Sequence, residues 1–301
     1  GAVPRDGKFR KIEVKVARKD AVVRARRGYF APSDVADAEA SRAKDRMDPQ
    51  IQYGLDSPTP LDAVPIRMMT YVLDDAGLGR TRVLVAADVD ISKVEFEEVE
   101  GRLLGSFDTL AVAARRENSE VFRNDQKVDV ERKPGPMASP SWYTIVRDLE
   151  LPPGGYQAKL VVRDAASQRL GTVTMAFEVP PVEQLRLSSP ILTDTVQMPA
   201  GGAPSAVLLA RRTFSPSKPL FCRFDVHGAA PDPATRMPSV RAGHVLRKAD
   251  GTVVGRSDPS EIAPTSLGGL SRLMQIPVGG LAPGEYELEL VVRDERSGRE
   301  V

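Results

Sequence analysis

The sequence predicts an all-β chain: two tandem immunoglobulin-like antiparallel β-sandwiches, preceded by a β-hairpin from an upstream domain and a short helical linker. Three observations predict it. First, one stretch occurs twice. Leu151–Arg169 reads LPPGGYQAKLVVRDAASQR and Leu281–Arg299 reads LAPGEYELELVVRDERSGR, 130 residues apart with eleven of nineteen positions identical, and a repeated supersecondary unit implies related domains. Second, each copy alternates strictly. Tyr156, Ala158, Leu160 and Val162 fall on one face and Gln157, Lys159 and Arg163 on the other, as Tyr286, Leu288, Leu290 and Val292 oppose Glu287, Glu289 and Arg293. That is a strand with one dry and one wet side. Third, 25 Pro and 24 Gly punctuate short runs of the same kind while aromatics make up only 5% of the chain, which suits turn-rich β-structure better than a helical bundle.

The length of 301 residues suggests about two domains. Residues 1–32 are expected to be the terminal β-hairpin of a truncated domain, with Ile12, Val14 and Val16 alternating before a turn near Ala17–Asp20 and Val23 and Ala25 after it. Residues 33–62 read as helical spacer and linker. Ser33 is the N-cap candidate, the helix runs to Met47, and Pro49 stops it.

The first sandwich spans 63–180. A hairpin joins Ile66–Val72 to Val83–Ile91 through Asp74–Gly77, further strands fall at Leu103–Ala114, Glu120–Phe122 and Trp142–Leu149, and the repeat unit returns through Gly171–Val179. The second spans 181–301, with strands at Ala206–Ala210, Leu220–Val226, Val240–Leu246, Leu273–Val278 and Tyr286–Val292. In each copy a Pro-Gly turn precedes the tyrosine, which is the arrangement of a tyrosine corner, and Asp164 or Asp294 opens the hairpin turn that follows. The first copy has its return strand, and the second reaches Val301 where that strand is due, so the chain reads as a fragment with an incomplete second sandwich.

Composition excludes several classes of function. Lys and Arg total 42 against 41 Asp and Glu, a formal charge of +1, so no global field would hold a polyanion. The single cysteine forms no intramolecular disulfide and supports no multi-cysteine metal site. No apolar run approaches the ~20 residues that span a bilayer.

The candidate sites all have plainer readings. Cys222 and His227 suggest a nucleophile and a base, but alternation places Cys222 with Phe224 and Val226 on the apolar face and His227 on the other. The thiol is expected to be buried and inert. His244 has no cysteine or carboxylate at ligand spacing. Asp88, Asp90 and Ser92 in DVDIS resemble part of an aspartate-serine cation site, yet such sites draw ligands from loops, and a solvated strand face accounts for them. Glu95, Glu97, Glu98 and Glu100 form a wet acidic stretch. The basic run Arg5–Arg27 sits on alternate strand positions without interleaved stacking aromatics, which favours a solvated face over nucleic-acid binding. Gly268-Gly269 and Gly279-Gly280 are turns with no phosphate-loop context. No catalytic, cofactor-binding or metal-binding set is assigned, and no cofactor is expected.

Two stretches are similar to a known family. DGKFRKIEVKVARKDAVVRARRGYFAP (Asp6–Pro32) resembles the segment closing the von Willebrand factor A-like domain in bacterial, acidobacterial-type VWFA-related domain-containing proteins. The first repeat copy and LSSPILTD (Leu187–Asp194) resemble the region that follows that domain. The resemblance implies an extracellular or periplasmic protein of the cell envelope and an adhesion-type role with an unidentified protein partner. It also implies an upstream Asp-x-Ser-x-Ser metal site; the motif does not occur in this sequence, so no ligand is assigned. The residues thus point to non-enzymatic structural or protein-interaction modules. The alternative is a carbohydrate-binding or accessory module of a larger hydrolase, which would call for exposed aromatics; the chain offers one tryptophan, Trp142, and six tyrosines.

Overall fold

The computed structural model describes residues 9–11, 28–30, 47–198 and 204–301, the first two segments as backbone only. The chain is all-β, with antiparallel sheets and a sandwich fold. In the first part of the chain, β1 (Phe9–Lys11), β2 (Gly28–Phe30), helix α1 (Pro49–Asp56), β3 (Ile66–Gly77) and β4 (Arg80–Asp90) are followed by a 3₁₀ turn at Ile91–Lys93. Then come β5 (Glu97–Val99), β6 (Arg102–Arg115), β7 (Val121–Arg132), β8 (Trp142–Leu151), β9 (Gly154–Asp164) and β10 (Leu170–Val179). After these come β11 (Arg186–Leu187), β12 (Ile191–Thr193), β13 (Val196–Gln197), β14 (Ser205–Ala206) and β15 (Leu220–His227). The last are β16 (Val240–Lys248), β17 (Val253–Ile262), β18 (Leu270–Ile276) and β19 (Tyr286–Asp294). Among the described residues no helix is long and apolar enough to cross a membrane.

β1 and β2 pair antiparallel, Phe9 opposite Phe30 and Lys11 opposite Gly28, as the terminal hairpin requires; its turn and, but for Met47, the helix expected over Ser33–Met47 lie outside the described residues. Pro49, read from sequence as a stop, instead opens α1. Asp48 is the N-cap, its Oδ1 accepting from Gln50 N at 2.8 Å and Ile51 N at 3.4 Å, and proline's fixed φ and missing N–H suit the first helical turn. Asp-Pro is therefore a start signal in this chain.

The chain divides into two compact units. One comprises residues up to Met68, Val89–Tyr143 and Gly154–Val179; the other comprises Met69–Asp88, Thr144–Pro153 and Pro180–Val301. The second unit thus takes segments from both sides of residue 180. The reason is visible inside the second unit. Tyr71, Leu84 and Ala86 share a core with Ile191, the Tyr71 hydroxyl donates to Leu209 O at 2.6 Å, and Val72 exchanges hydrogen bonds with Ser189.

In the first unit, β9 lies between β10 and β6, with β7 on the far side of β6. One face of this sheet buries Phe107, Ala111, Tyr156, Ala158, Leu160 and Val162. The other packs Leu110 and Val161 against Ile51 of α1, with Leu55 and Val112 at the margin. In the second unit, β15 alternates as its sequence foretold, burying Leu220, Cys222, Phe224 and Val226. That face meets Val240, Ala242 and Leu246 of β16 and Val292 of β19. Two sheets, β17–β16–β19 and one built on β15, thus enclose a core between them.

Several boundaries move. The β3–β4 turn is the two-residue Leu78-Gly79, both at positive φ, so Asp74–Gly77 belongs to the strand. β7 runs to Arg132 despite its charges, β17 was not foreseen, and of the Ala206–Ala210 run only Ala206 lies in a strand, β14.

Candidate functional site

The charged cleft of the first unit has the best-defined geometry. Its frame follows from the repeat. Lys159 and Arg163 are four residues apart on β9 and point to the same, nominally wet, face, a separation of about 13 Å along a strand. Helix α1 has eight residues, hence is about 12 Å long, and the two side chains hold its two ends. Lys159 Nζ donates to Leu55 O and Ser57 O, each at 2.7 Å, where a helix C-terminus attracts a cation. Arg163 Nη1 donates to Asp48 Oδ2 at 2.5 Å at the N-cap, while Nη2 donates to Asp108 Oδ2 at 2.5 Å.

Beside the helix lies an open cleft of 270 Å³ lined by Asp48, Asp108, Arg123, Asp125, Lys127 and Arg163, among others. Two of its carboxylates, Asp48 and Asp108, are joined by the Arg163 guanidinium. Burial opposes ionisation of Asp48, but the amides of Gln50 and Ile51 together with Arg163 outweigh it and hold the carboxyl below its ordinary range. Hydrogen bonding to Asp108 likewise raises Arg163 against the effect of burial. Asp48 is thus kept as an anion, unsuited to donate a proton. Arg123 pairs with Asp125 at 3.0 Å and Lys127 with Asp129 at 3.5 Å. The chemistry this arrangement performs is to fasten a helix to a sheet.

The hairpin aspartates have the same structural use, twice. Asp164 is fully buried. Its Oδ2 accepts from Ser167 Oγ, from Ser167 N at 3.3 Å and, from another segment, Glu95 N at 3.1 Å. Asp294, 1% exposed, accepts from Ser297 Oγ at 2.6 Å, Arg296 N at 3.0 Å and, again from another segment, Ala230 N at 2.9 Å. Burial pushes the Asp294 carboxyl up, and these hydrogen bonds more than offset it, leaving it below the usual range. The αL position of each turn is filled by Gln168 and Gly298.

The other sequence candidates are not brought together. Cys222 is buried, its thiol pushed up to about 12 by desolvation, on the face opposite His227. His227 pairs across strands with Arg186 and is shifted down by burial and by that guanidinium. His244 is buried, with Nδ1 2.8 Å from Ser257 Oγ, and burial lowers it as well. Asp88 and Asp90 are buried, not on a solvated strand face: Asp88 accepts from Thr144 Oγ1 at 2.7 Å, and Asp90 caps the 3₁₀ turn through Ser92 N at 3.0 Å and accepts from Ser141 N at 2.8 Å. Among the described residues no three His, Cys, Asp or Glu side chains gather as metal ligands would. Glu97 and Glu98 lie exposed on β5. Trp142 carries the Arg67 guanidinium 4.0 Å above its ring. Most of the basic run lies outside the described residues.

Sequence reasoning missed the helix clamp. The signal was present in Asp48-Pro49 as a cap and in Lys159 and Arg163 at i, i+4 on a strand face otherwise assigned to solvent. No protein-family model matches the chain, and no curated protein matches it.

Proposed function

We infer that the chain is a non-enzymatic structural or protein-interaction part of a secreted or envelope-associated bacterial protein of the VWFA-related type, adhesive rather than catalytic. The observation that carries this reading is how the buried polar groups are used. The buried Asp164 and Asp294 and the half-buried Lys159–Arg163 clamp each join separate chain segments, which is what a structural or partner-presenting module requires of them. The carbohydrate-platform alternative has less support, since an arginine occupies a face of Trp142.

The test is to read the coding region outward from both ends. A leader peptide followed by an A-like domain with an intact Asp-x-Ser-x-Ser site is the expected result. An upstream catalytic domain would overturn the reading and make this chain an accessory module.

A further inference from the structure

β7 is an edge strand of an unusual kind. It pairs with β6 over twelve consecutive residues, Leu103 opposite Arg132 through Ala114 opposite Val121, with no bulge, glycine or proline. Among the described residues no other strand pairs with it. Natural sheets usually blunt such edges with proline, bulges or charged side chains, and β7 has only the last. The corresponding strand of the second unit, β17, does so with Pro259 and two register shifts against β16.

The direction of β7's free backbone groups is fixed. Arg115 N donates to Glu120 O at 2.8 Å, in line with the ladder, and the Thr109 hydroxyl donates to Gln126 O at 2.9 Å. Even-numbered residues of β7 therefore bond towards β6. By the alternation of an antiparallel ladder, odd-numbered residues present N–H and C=O to the open edge. Their side chains (Val121, Arg123, Asp125, Lys127, Asp129 and Glu131) are exposed.

We propose that β7 pairs with β7 of a second copy of this chain, antiparallel about a two-fold axis at Gln126. Charge complementarity selects this partner and this register. With the axis at Gln126, odd residues face odd residues, as the hydrogen-bond pattern demands, and Asp125 opposes Lys127 while Arg123 opposes Asp129. Symmetry gives four opposite-charge pairs on that face. On the other face Phe122 opposes Val130 and Glu120 opposes Arg132. Moving the axis to Lys127 sets Lys127 against itself and Asp125 against Asp129. Moving it to Asp125 sets Asp125 against itself and Arg123 against Lys127. An axis between residues pairs odd with even and breaks the ladder. Cross-strand charge pairs of the right sign stabilise and like pairs destabilise, so one register stands out. Helix α1 packs on β9 and β10, and among the described residues no strand pairs with this edge. The product is a closed, isologous dimer with one continuous sheet.

The experiment is sedimentation equilibrium of the 301-residue chain across a concentration series, together with amide hydrogen exchange. The expected result is a concentration-dependent dimer in which the Arg123, Asp125, Lys127 and Asp129 amides gain protection. Asp125→Lys, which sets lysine against lysine twice, raises the dimer Kd by roughly tenfold or more, and adding Lys127→Asp restores it. Asp125→Pro, which removes an outward N–H and no bond of the β6–β7 ladder and whose fixed φ an edge strand tolerates, also gives a monomer whose circular dichroism is unchanged. A chain that stays monomeric throughout overturns the proposal, as does a dimer indifferent to Asp125→Lys or one whose odd-numbered β7 amides exchange freely.

Discussion

The two copies of the repeat share a frame and differ in what they carry on it. In the first, β6 pairs with β9 from Phe107 opposite Asp164 to Arg115 opposite Tyr156; in the second, β16 pairs with β19 from Val240 opposite Asp294 to Lys248 opposite Tyr286. Even the start of the return strand repeats. Leu170 opposes Arg163 as Glu300 opposes Arg293. The faces diverge. β9 has strands on both sides and buries Tyr156 completely, stacked on Phe177 with ring centroids 5.4 Å apart. Tyr286 is only partly buried, and its hydroxyl donates to Ala282 O at 2.8 Å, four residues upstream, as a tyrosine corner does. Lys159 clamps a helix, whereas its counterpart Glu289 pairs with Arg247 at 3.2 Å on the sheet surface. Identity between the copies marks what the hairpin and its aspartate need, and divergence marks what each copy packs against.

This contrast can be sharpened by substituting equivalent residues in parallel. The largest effect is expected for Tyr156→Ala, about 3–5 kcal/mol in denaturant unfolding because a buried aromatic leaves a cavity, against about 1–2 kcal/mol for Tyr286→Ala, which loses one hydrogen bond and the packing of a half-buried ring. Equal losses would break the distinction between a core tyrosine and a clip. Next, Asp164→Ala and Asp294→Ala are each expected to cost about 2–4 kcal/mol, since each strands several buried donors.

Lys159→Glu comes third. It removes the cation from the end of α1 and sets an acid beside two carbonyls, for about 1–3 kcal/mol and faster exchange of the helix amides. The reciprocal Glu289→Lys is expected to stay within about 0.5 kcal/mol.

The pH dependence of Asp294 is smaller. Its carboxyl is depressed in the folded state, so its contribution is present above the unfolded carboxylate pKa of about 4 and is lost as pH falls through the lower folded value. Wild type should lose stability on acidification below that point more steeply than Asp294→Asn, as thermal melts at stepped pH would show. Smallest in energy is the behaviour of Cys222. With its thiol raised to about 12 and buried, it should resist alkylation at pH 8 until the protein unfolds.

The strands were legible in the sequence where alternation is clean, at β9, β15, β16 and β19, because one face of each is dry. β7 was legible only at its first residues. Its later positions are charged on one face and mixed on the other, so pairing with β6 rather than hydrophobic pattern sets its length. β17 carries glycine, proline and charges and was invisible for the same reason. α1 was misread because Asp48-Pro49 stops one helix and starts another with equal ease. Its clamp was missed because a wet strand face does not reveal which segment will cover it. The turn aspartates were read correctly as turn openers, but nothing local announces Glu95 or Ala230 as their distant donors.

The measurement that bears most directly on this account is amide hydrogen exchange at Glu95 and Ala230 in the wild-type chain and in Asp164→Ala and Asp294→Ala. If the repeat is an architectural unit whose aspartate ties a remote segment to the hairpin, Glu95 loses protection in Asp164→Ala alone and Ala230 in Asp294→Ala alone. Unchanged protection at both amides would contradict it.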